Sequence, residues 1–262
     1  MLIDTHAHLT DTKYNDTREQ MIKDFENNNV EKVFTVAYNK QSIIESVELA
    51  EQYENVYAII GIHPDEVQDY NEETIALLKK FSSHPKVIAI GEIGLDYHYD
   101  NFDKDEQKRV FIEQLKLAHE VGLPICIHNR DSIGDCLTIL KENKTLLSNG
   151  GVVHCFSESV EIYRELKKLG LKIAFGGTLT FKNSVHAPAV CEVADMEDIL
   201  IETDCPYLTP HPYRGKYINE PKYTSLVAQR IAEIKKLSYD TVVEQTKNNA
   251  LQLFKKVGKW VI

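Results

Sequence analysis

Residues 2–8 of the chain read LIDTHAH, a short apolar run that ends in two histidines two positions apart. An apolar run of this length is typical of a buried strand at the point where it leaves the core. In an open, doubly wound α/β sheet the first strand is usually followed by a glycine-rich phosphate-binding loop. The chain has His-Ala-His at that place, which favours a different α/β architecture.

Seven further apolar runs are short and rich in Val and Ile, as buried parallel strands are. They cover residues 32–37, 56–62, 87–94, 124–129, 151–156, 172–177 and 199–204. Helical patterns lie between them, the first at 17–29, and two more helices are predicted at about 222–236 and 239–257. Alternation of strands and helices implies parallel pairing through right-handed crossovers. Eight strands predict an α/β fold of the (β/α)8 TIM barrel type, formed by residues 1–262 as a single domain.

The composition excludes some classes of protein. A hydrophobic content of 43% and a charged content of 27% are those of an ordinary globular chain. A net charge of −10 disfavours a protein that coats duplex nucleic acid, although it allows local contacts with a few phosphates. The five cysteines are odd in number and irregularly spaced, which indicates reduced thiols. With no signal-like N-terminus and no long apolar run, we expect a cytoplasmic location, no membrane partner and no obligate protein partner.

Polar side chains gather at the predicted strand ends. In a (β/α)8 barrel the active site lies at the carboxyl ends of the strands. Five of the ten histidines belong to this set. The residues at these ends are His6, His8, His63, Glu92, Asp96, His128, Arg130, His154 and Asp204. Their convergence on one rim predicts a metal centre.

Strand alternation adds two buried carboxylates to this picture. His6 and His8 differ by two positions, so both point to the same face of the first strand. Asp4 has the same parity one layer deeper, and Glu202 lies in the same way beneath Asp204. Buried carboxylates need partners, and near a metal the usual partner is the second nitrogen of a ligating imidazole. We therefore hypothesise that Asp4 and Glu202 support the ligands.

The candidate ligands suit a pair of divalent ions. Imidazole binds Zn, Ni, Fe and Mn, whereas carboxylates also accept Mg. Two ions about 3.5–4 Å apart can activate a water and stabilise the attacking and leaving oxygens of a displacement. One ion would take the first-strand histidines and Asp204, and the other the fifth- and sixth-strand histidines. Glu92 would bridge the two ions, and Asp204 would also act as general base.

Seven segments then show a family resemblance. They are LIDTHAHL (2–9), GIHP (61–64), GEIGLDYH (91–98), PICIHNRD (124–131), HCFSES (154–159), FGGTLTFKN (175–183) and IETDCPYLTP (201–210). In order and register, from residue 1 to about 255, they resemble the TatD family of metal-dependent hydrolases. That family belongs to the amidohydrolase superfamily of barrels. Its members are metal-dependent deoxyribonucleases, some with 3′ exonuclease activity.

The resemblance implies site residues and a substrate. The implied metal ligands are His6, His8, Glu92, His128, His154 and Asp204. The resemblance implies two divalent metal ions per chain. Mg or Mn would support the activity, and Zn or Ni could be the ions bound to the purified protein. His63, Arg130 and Arg214 are implied as contacts of the substrate phosphate, and Asp96 is expected to face the substrate as well. The implied substrate is DNA, at its ends or as single strands.

The long loop 207–221, YLTPHPYRGKYINEP, is too irregular for core structure, and a long loop on the catalytic face is commonly functional. Its tyrosines Tyr207, Tyr213 and Tyr217 could stack on bases, or could simply pack within the protein.

Arg130, at the end of the fifth strand, could pair with Asp131 or Asp135 and would then not contact a phosphate.

Two other functions stay open. The same metal centre could serve a D-aminoacyl-tRNA deacylase or a small-molecule amidohydrolase or esterase. The fourth strand end offers Glu92 and no lysine that could be carboxylated, and Arg130 and Arg214 favour a phosphorylated substrate. A metal-containing interaction protein is the third possibility, although it would have no need for a carboxylate in the general-base position.

Overall fold

The computed structural model of the chain describes residues 1–99 and 103–258. In this part of the chain eight strands form one parallel sheet in sequential order. The strands are β1 (Leu2–Ala7), β2 (Val30–Val36), β3 (Val56–Ile60), β4 (Val87–Asp96), β5 (Ile125–Arg130), β6 (Gly151–Val153), β7 (Leu171–Phe175) and β8 (Ile199–Ile201). The fold is a nearly closed (β/α)8 TIM barrel, which confirms the predicted fold class.

Nine α-helices occur in the same residues and alternate with the strands. They are α1 (Arg18–Lys23), α2 (Lys40–Gln52), α3 (Glu72–Ser82), α4 (Lys104–Val121), α5 (Ile133–Glu142), α6 (Val160–Lys168), α7 (His186–Val193), α8 (Thr224–Lys235) and α9 (Tyr239–Leu253). The first helix is shorter than the predicted 17–29. It ends at Lys23, and a 3₁₀ turn follows at Glu26–Asn28, which Asn29 ends with a left-handed φ of 62°.

The strands are apolar because parallel strands of a barrel are covered on both faces. Every residue of β1, β3 and β4 is buried. The polar members of β1 and β4 therefore lie inside the protein, where each must find a partner.

Contacts within the chain divide it into two compact units. The first unit comprises residues 1–35, 154–167 and 172–252. In it β1 pairs in parallel with β2, and β7 pairs with β8.

The second unit comprises residues 36–153 and 168–171 and the C-terminal segment from Leu253. In it β3, β4, β5 and β6 pair in that order, all in parallel. The prediction that residues 1–262 form a single domain stays a prediction.

Two further features concern the chain's environment. Within residues 1–99 and 103–258, no helix combines the length and the apolar composition that crossing a membrane requires. All five cysteines are free thiols, and four of them are buried.

Candidate metal centre

The first unit brings His6, His8 and Asp204 together. Nε2 of His8 lies 3.3 Å from Oδ1 of Asp204, and Nε2 of His6 lies 3.7 Å from the same oxygen. The two imidazole rings meet edge to face, with centroids 5.1 Å apart. The backbone N–H of Asp204 donates to the carbonyl of His6 over 2.9 Å, which fixes the end of β8 against the end of β1. The strand parity of LIDTHAH thus gives both histidines one direction.

The carboxylate of Asp204 is held ionised. Burial opposes its ionisation, but the hydrogen bond with His8 and the charges of His6 and His154 outweigh burial and lower the pKa of Asp204 below its usual value. An ionised carboxylate beside two imidazoles is a good ligand set for a divalent ion.

His154 and Glu202 extend this cluster. The ring of His154 stacks on His6, with centroids 3.9 Å apart and planes 12° apart. Its Nδ1 lies 3.4 Å from Oε1 of Glu202, and the same oxygen accepts from the backbone N–H of Cys155 over 2.6 Å. His6, His154 and Glu202 each offer one ligand atom within 4.8 Å of the others.

Asp4 supports the backbone rather than an imidazole ring. Its carboxylate accepts from the backbone N–H of Thr203 (3.0 Å), from the hydroxyl of Thr203 (2.6 Å) and from the backbone N–H of His6 (3.3 Å). Burial raises the pKa of Asp4 to about 8, although these hydrogen bonds favour the ionised form. Asp4 therefore fixes the backbone on both sides of the cluster.

The second unit holds His128 between two carboxylates of β4. Nδ1 of His128 lies 2.8 Å from Oε1 of Glu92, and Nε2 lies 2.9 Å from Oδ2 of Asp96. Strand register explains this arrangement, because Gly94 of β4 pairs with His128 of β5 and lies midway between the two acids. A Cβ atom on Gly94 would lie 1.9 Å from the carbonyl oxygen of His128, so this position requires glycine.

His63 joins the second cluster from the segment after β3. Its ring meets His128 edge to face, with centroids 4.4 Å apart, and Nε2 lies 3.9 Å from Oε1 of Glu92. Nδ1 accepts from the backbone N–H of Asp65 over 3.1 Å. Ligand atoms of His63, Glu92 and His128 lie within 4.8 Å of one another, as do those of His63, Asp65 and Asp96.

Asp65 was missed by sequence reasoning. Burial, followed by the charge of Asp96, raises its pKa to about 6. The signal was available in GIHPD, since an acid two residues after a strand-end histidine can turn back beside it.

The two arginines that are predicted to contact phosphate are exposed. The Arg130 guanidinium lies 5.6 Å from the ring centroid of Tyr99. In the described part of the chain it forms no salt bridge, because Asp131 pairs with His98 and Asp135 pairs with Lys108. Arg214 lies 3.6 Å above the ring of Phe181. The roles of these arginines stay predictions, as do those of Asp96 and the other site residues.

The donor set of the first unit fits a divalent ion. Two atoms that bind one ion at about 2.1 Å in a tetrahedral arrangement lie about 3.4 Å apart. The distance from Nε2 of His8 to Oδ1 of Asp204, 3.3 Å, is close to this value. Mixed imidazole and carboxylate donors suit Zn, Mn and related ions.

The family model described as "TatD related DNase" matches residues 3–255. The chain belongs to the TatD family. YabD of Bacillus subtilis (strain 168), an uncharacterized metal-dependent hydrolase, is 46% identical over 255 residues, which are 97% of this chain and 99% of YabD. YcfH of Escherichia coli (strain K12), also an uncharacterized metal-dependent hydrolase, is 33% identical over 97% of this chain and 95% of its own length.

Solved structures agree with this assignment. The crystal structure of YjjV, a TatD homologue from Escherichia coli K12, superposes with a TM-score of 0.91 at 29% identity and covers 97% of this chain and 98% of YjjV. The predicted family is confirmed, and this TatD-family chain is a metal-dependent hydrolase.

Proposed function

We propose that this hydrolase is a deoxyribonuclease that removes nucleotides from the 3′ ends of single-stranded DNA, using two divalent ions. The observation that carries the proposal is the cluster of Asp204 with His6 and His8, an ionised carboxylate and two imidazoles at metal-ligand spacing. The description of the family as DNase supports the nucleic-acid substrate.

The proposal keeps the six predicted ligands, His6, His8, Glu92, His128, His154 and Asp204. Bound ions would lower the pKa of a water and stabilise negative charge on the scissile phosphate. Asp204 is ionised and can accept the proton of that water. The contact of Nε2 of His128 with Asp96 would fix the direction of the ring and leave Nδ1, beside Glu92, to bind an ion. Asp4 and Glu202 hold the backbone beneath these groups.

Two arginines support a phosphorylated substrate. Arg130 forms no salt bridge with the residues that the structure describes, and the guanidinium of Arg214 stacks on an aromatic ring without a carboxylate partner among them. Both arginines are exposed, and an exposed guanidinium can bind phosphate in a bidentate way. We also propose a cytoplasmic location, which the five free thiols support.

The test uses demetallated protein reloaded separately with Mg, Mn, Zn or Ni. Each form is incubated with a 5′-labelled single-stranded oligonucleotide, and the products are identified by mass spectrometry. We expect 3′ nucleotides to be released one at a time with Mg or Mn. Asp204→Asn and Glu92→Ala should each lower the rate by at least about 10³-fold. Asp16→Asn, at an exposed carboxylate, is the matched control and should leave the rate unchanged.

Two results would contradict the proposal. Full activity in both folded variants would remove the assigned catalytic groups. Hydrolysis of a D-aminoacyl-tRNA or a lactone, without release of nucleotides under any metal, would leave a hydrolase that is not a nuclease.

A further inference from the structure

A groove of about 500 Å³ lies along the loop that follows Asp204, within the first unit. Its lining includes the cations Lys13, Arg214 and Lys216 and the aromatic rings of Phe181 and Tyr217, and we call it the loop groove. None of the described residues that line it carries a carboxylate. On a chain with a net charge of −10, the loop groove is therefore a local positive surface.

The cations of the loop groove take part in no salt bridge among the described residues. Across residues 1–99 and 103–258, no salt bridge joins Lys13, Arg214 or Lys216 to a carboxylate. Lys13 instead places Nζ 4.3 Å from the ring centroid of Tyr207. The acid beside it is Asp11, whose Oδ2 already accepts from the Tyr207 hydroxyl over 2.8 Å. Asp11 interacts with the charge of Lys13, so an anionic ligand would mainly meet the charges of Arg214 and Lys216.

The loop also exposes aromatic surface. Four of the nine large exposed hydrophobic side chains among the described residues are Tyr207, Tyr213, Tyr217 and Ile218. Tyr217 is 62% exposed, the largest fraction among these four loop residues. Its ring meets Tyr213 edge to face at 5.7 Å, which fixes the ring while leaving much of it open to solvent. Aromatic rings interleaved with cations are the usual surface for single-stranded nucleic acid.

The loop is braced from below, so the groove exists before a ligand arrives. Asn219 is fully buried, and its side-chain amide donates to the carbonyls of Thr203 (2.8 Å) and Tyr207 (2.5 Å). The hydroxyl of Thr209 donates to the carbonyl of Tyr217 over 3.0 Å. A Cβ atom on Gly177 would lie 1.9 Å from the carbonyl oxygen of Leu208, so the loop packs directly on this glycine. Preorganisation of this kind reduces the entropic cost of binding.

Ring contacts connect the loop groove with the candidate metal ligands. The rings of His8 and Tyr207 meet edge to face, with centroids 6.0 Å apart. Tyr207 in turn contacts Lys13, which lines the groove. A strand held in the groove would therefore lie close to His8 and Asp204.

We propose that the loop groove binds the part of a single-stranded nucleic acid that lies beyond the scissile phosphate, with a base stacked on Tyr217 and phosphates on Lys216, Arg214 and Lys13. This inference rests on the proposed function, because it assigns the substrate strand a path beside the same ligands. It adds a subsite that favours longer strands over short ones.

The test measures binding of a fluorescent twelve-nucleotide dT strand, protected by phosphorothioate linkages, to the metal-loaded enzyme by fluorescence anisotropy. Tyr217→Ala should weaken binding about 5- to 10-fold without changing the salt dependence, since stacking is not ionic. Lys216→Gln should weaken it to a similar extent and reduce the slope of log K against log salt by about 0.7, the value for one phosphate contact on a single strand. Tyr217→Phe should restore binding, because it keeps the ring.

The controls separate the possible failures. Lys116→Gln makes the same charge change at an exposed position of α4 and should alter neither affinity nor slope. Unchanged affinity in both Tyr217→Ala and Lys216→Gln would contradict strand binding in the loop groove, whether or not the enzyme cleaves DNA. Equal displacement of the strand by poly-glutamate would also overturn it, since the surface would then bind any polyanion. Groove-dependent binding without cleavage under any metal would support the groove and contradict the nuclease proposal.

Discussion

Replacing Gly94 by alanine tests whether β4 holds its acids in place through a backbone that only glycine can adopt. Gly94 lies midway between Glu92 and Asp96 and has a φ of +147°. A residue with a side chain would be strained at this φ. An added Cβ atom would lie 1.9 Å from the carbonyl oxygen of His128 and 3.1 Å from its backbone nitrogen. Since such contacts stay above 3.0 Å, β4 and β5 would have to separate locally by about 1 Å.

The cost of this change has two parts. Backbone strain at a disfavoured φ contributes about 1–3 kcal/mol, and forced separation of packed backbone contributes about 1–3 kcal/mol. We expect Gly94→Ala to lower the free energy of unfolding by about 2–6 kcal/mol. A movement of this size would also break the contacts of His128 with Glu92 and Asp96 and should lower metal affinity about 10- to 100-fold.

Two other glycines make matched controls. Gly122 has a φ of +71° but no atom within 4 Å of an added Cβ, so Gly122→Ala carries backbone strain alone, about 1–2 kcal/mol. Gly134 lies in α5 with neither problem, so Gly134→Ala should be neutral or stabilising by about 0.4–1 kcal/mol. Urea unfolding followed by circular dichroism gives all three values, and mass spectrometry gives the metal content. The prediction would be refuted if Gly94→Ala lost no more unfolding free energy than Gly122→Ala and kept its full metal content.

Three further substitutions test other parts of the structure. Thr203→Val removes the hydroxyl that donates to Asp4 and should cost about 1–3 kcal/mol in urea unfolding, whereas Thr203→Ser should recover most of it. Lys86→Met leaves three backbone carbonyls without the buried ammonium that donates to them, so its urea midpoint should fall by the equivalent of about 1.5–3 kcal/mol; an unchanged midpoint would contradict this. Burial opposes ionisation of Glu31, but the hydrogen bond and charge of Lys247 outweigh burial and lower the pKa of Glu31. The pair therefore stabilises the fold above the unfolded pKa near 4.5, and this stabilisation is lost as the pH falls through the folded pKa. Lys247→Met should therefore be less stable by at most about 1 kcal/mol at pH 7 and equal to the parent in strong acid, which unfolding curves against pH would show.

The barrel could be predicted because its strands are buried on both faces. Runs such as VYAII and VIAIG are apolar at every position, so length and spacing were enough to count eight of them. The site residues could be located for a related reason. Parallel strands end at one face, and alternation gives His6 and His8 a common direction.

The partners of these residues could not be predicted from the sequence. The carboxylate of Asp96 contacts Nε2 of His128, because strand register places Gly94 opposite that histidine, and its expected contact with the substrate stays a prediction. Register depends on which backbone groups pair, and a pattern of apolar residues does not specify it to a single residue. The position of Asp65 depends in the same way on the 3₁₀ turn at Pro64–Asp69, for which His63 is the N-cap.

The contacts of Asp4 and Glu202 differ in part from those that strand alternation predicts. Both were expected to bind imidazoles, and Glu202 does lie 3.4 Å from a ring nitrogen, but their short hydrogen bonds are to backbone N–H groups. Cys155 and Asp204 follow strand ends with φ of 45° and 55°, a left-handed conformation that costs a non-glycine residue about 1–2 kcal/mol. Glu202 binds the N–H of Cys155 itself, and Asp4 binds that of Thr203, directly before Asp204. Each such hydrogen bond contributes about 0.5–1.5 kcal/mol, which is comparable with this strain. These two buried acids therefore stabilise the strained strand ends that carry the proposed metal ligands.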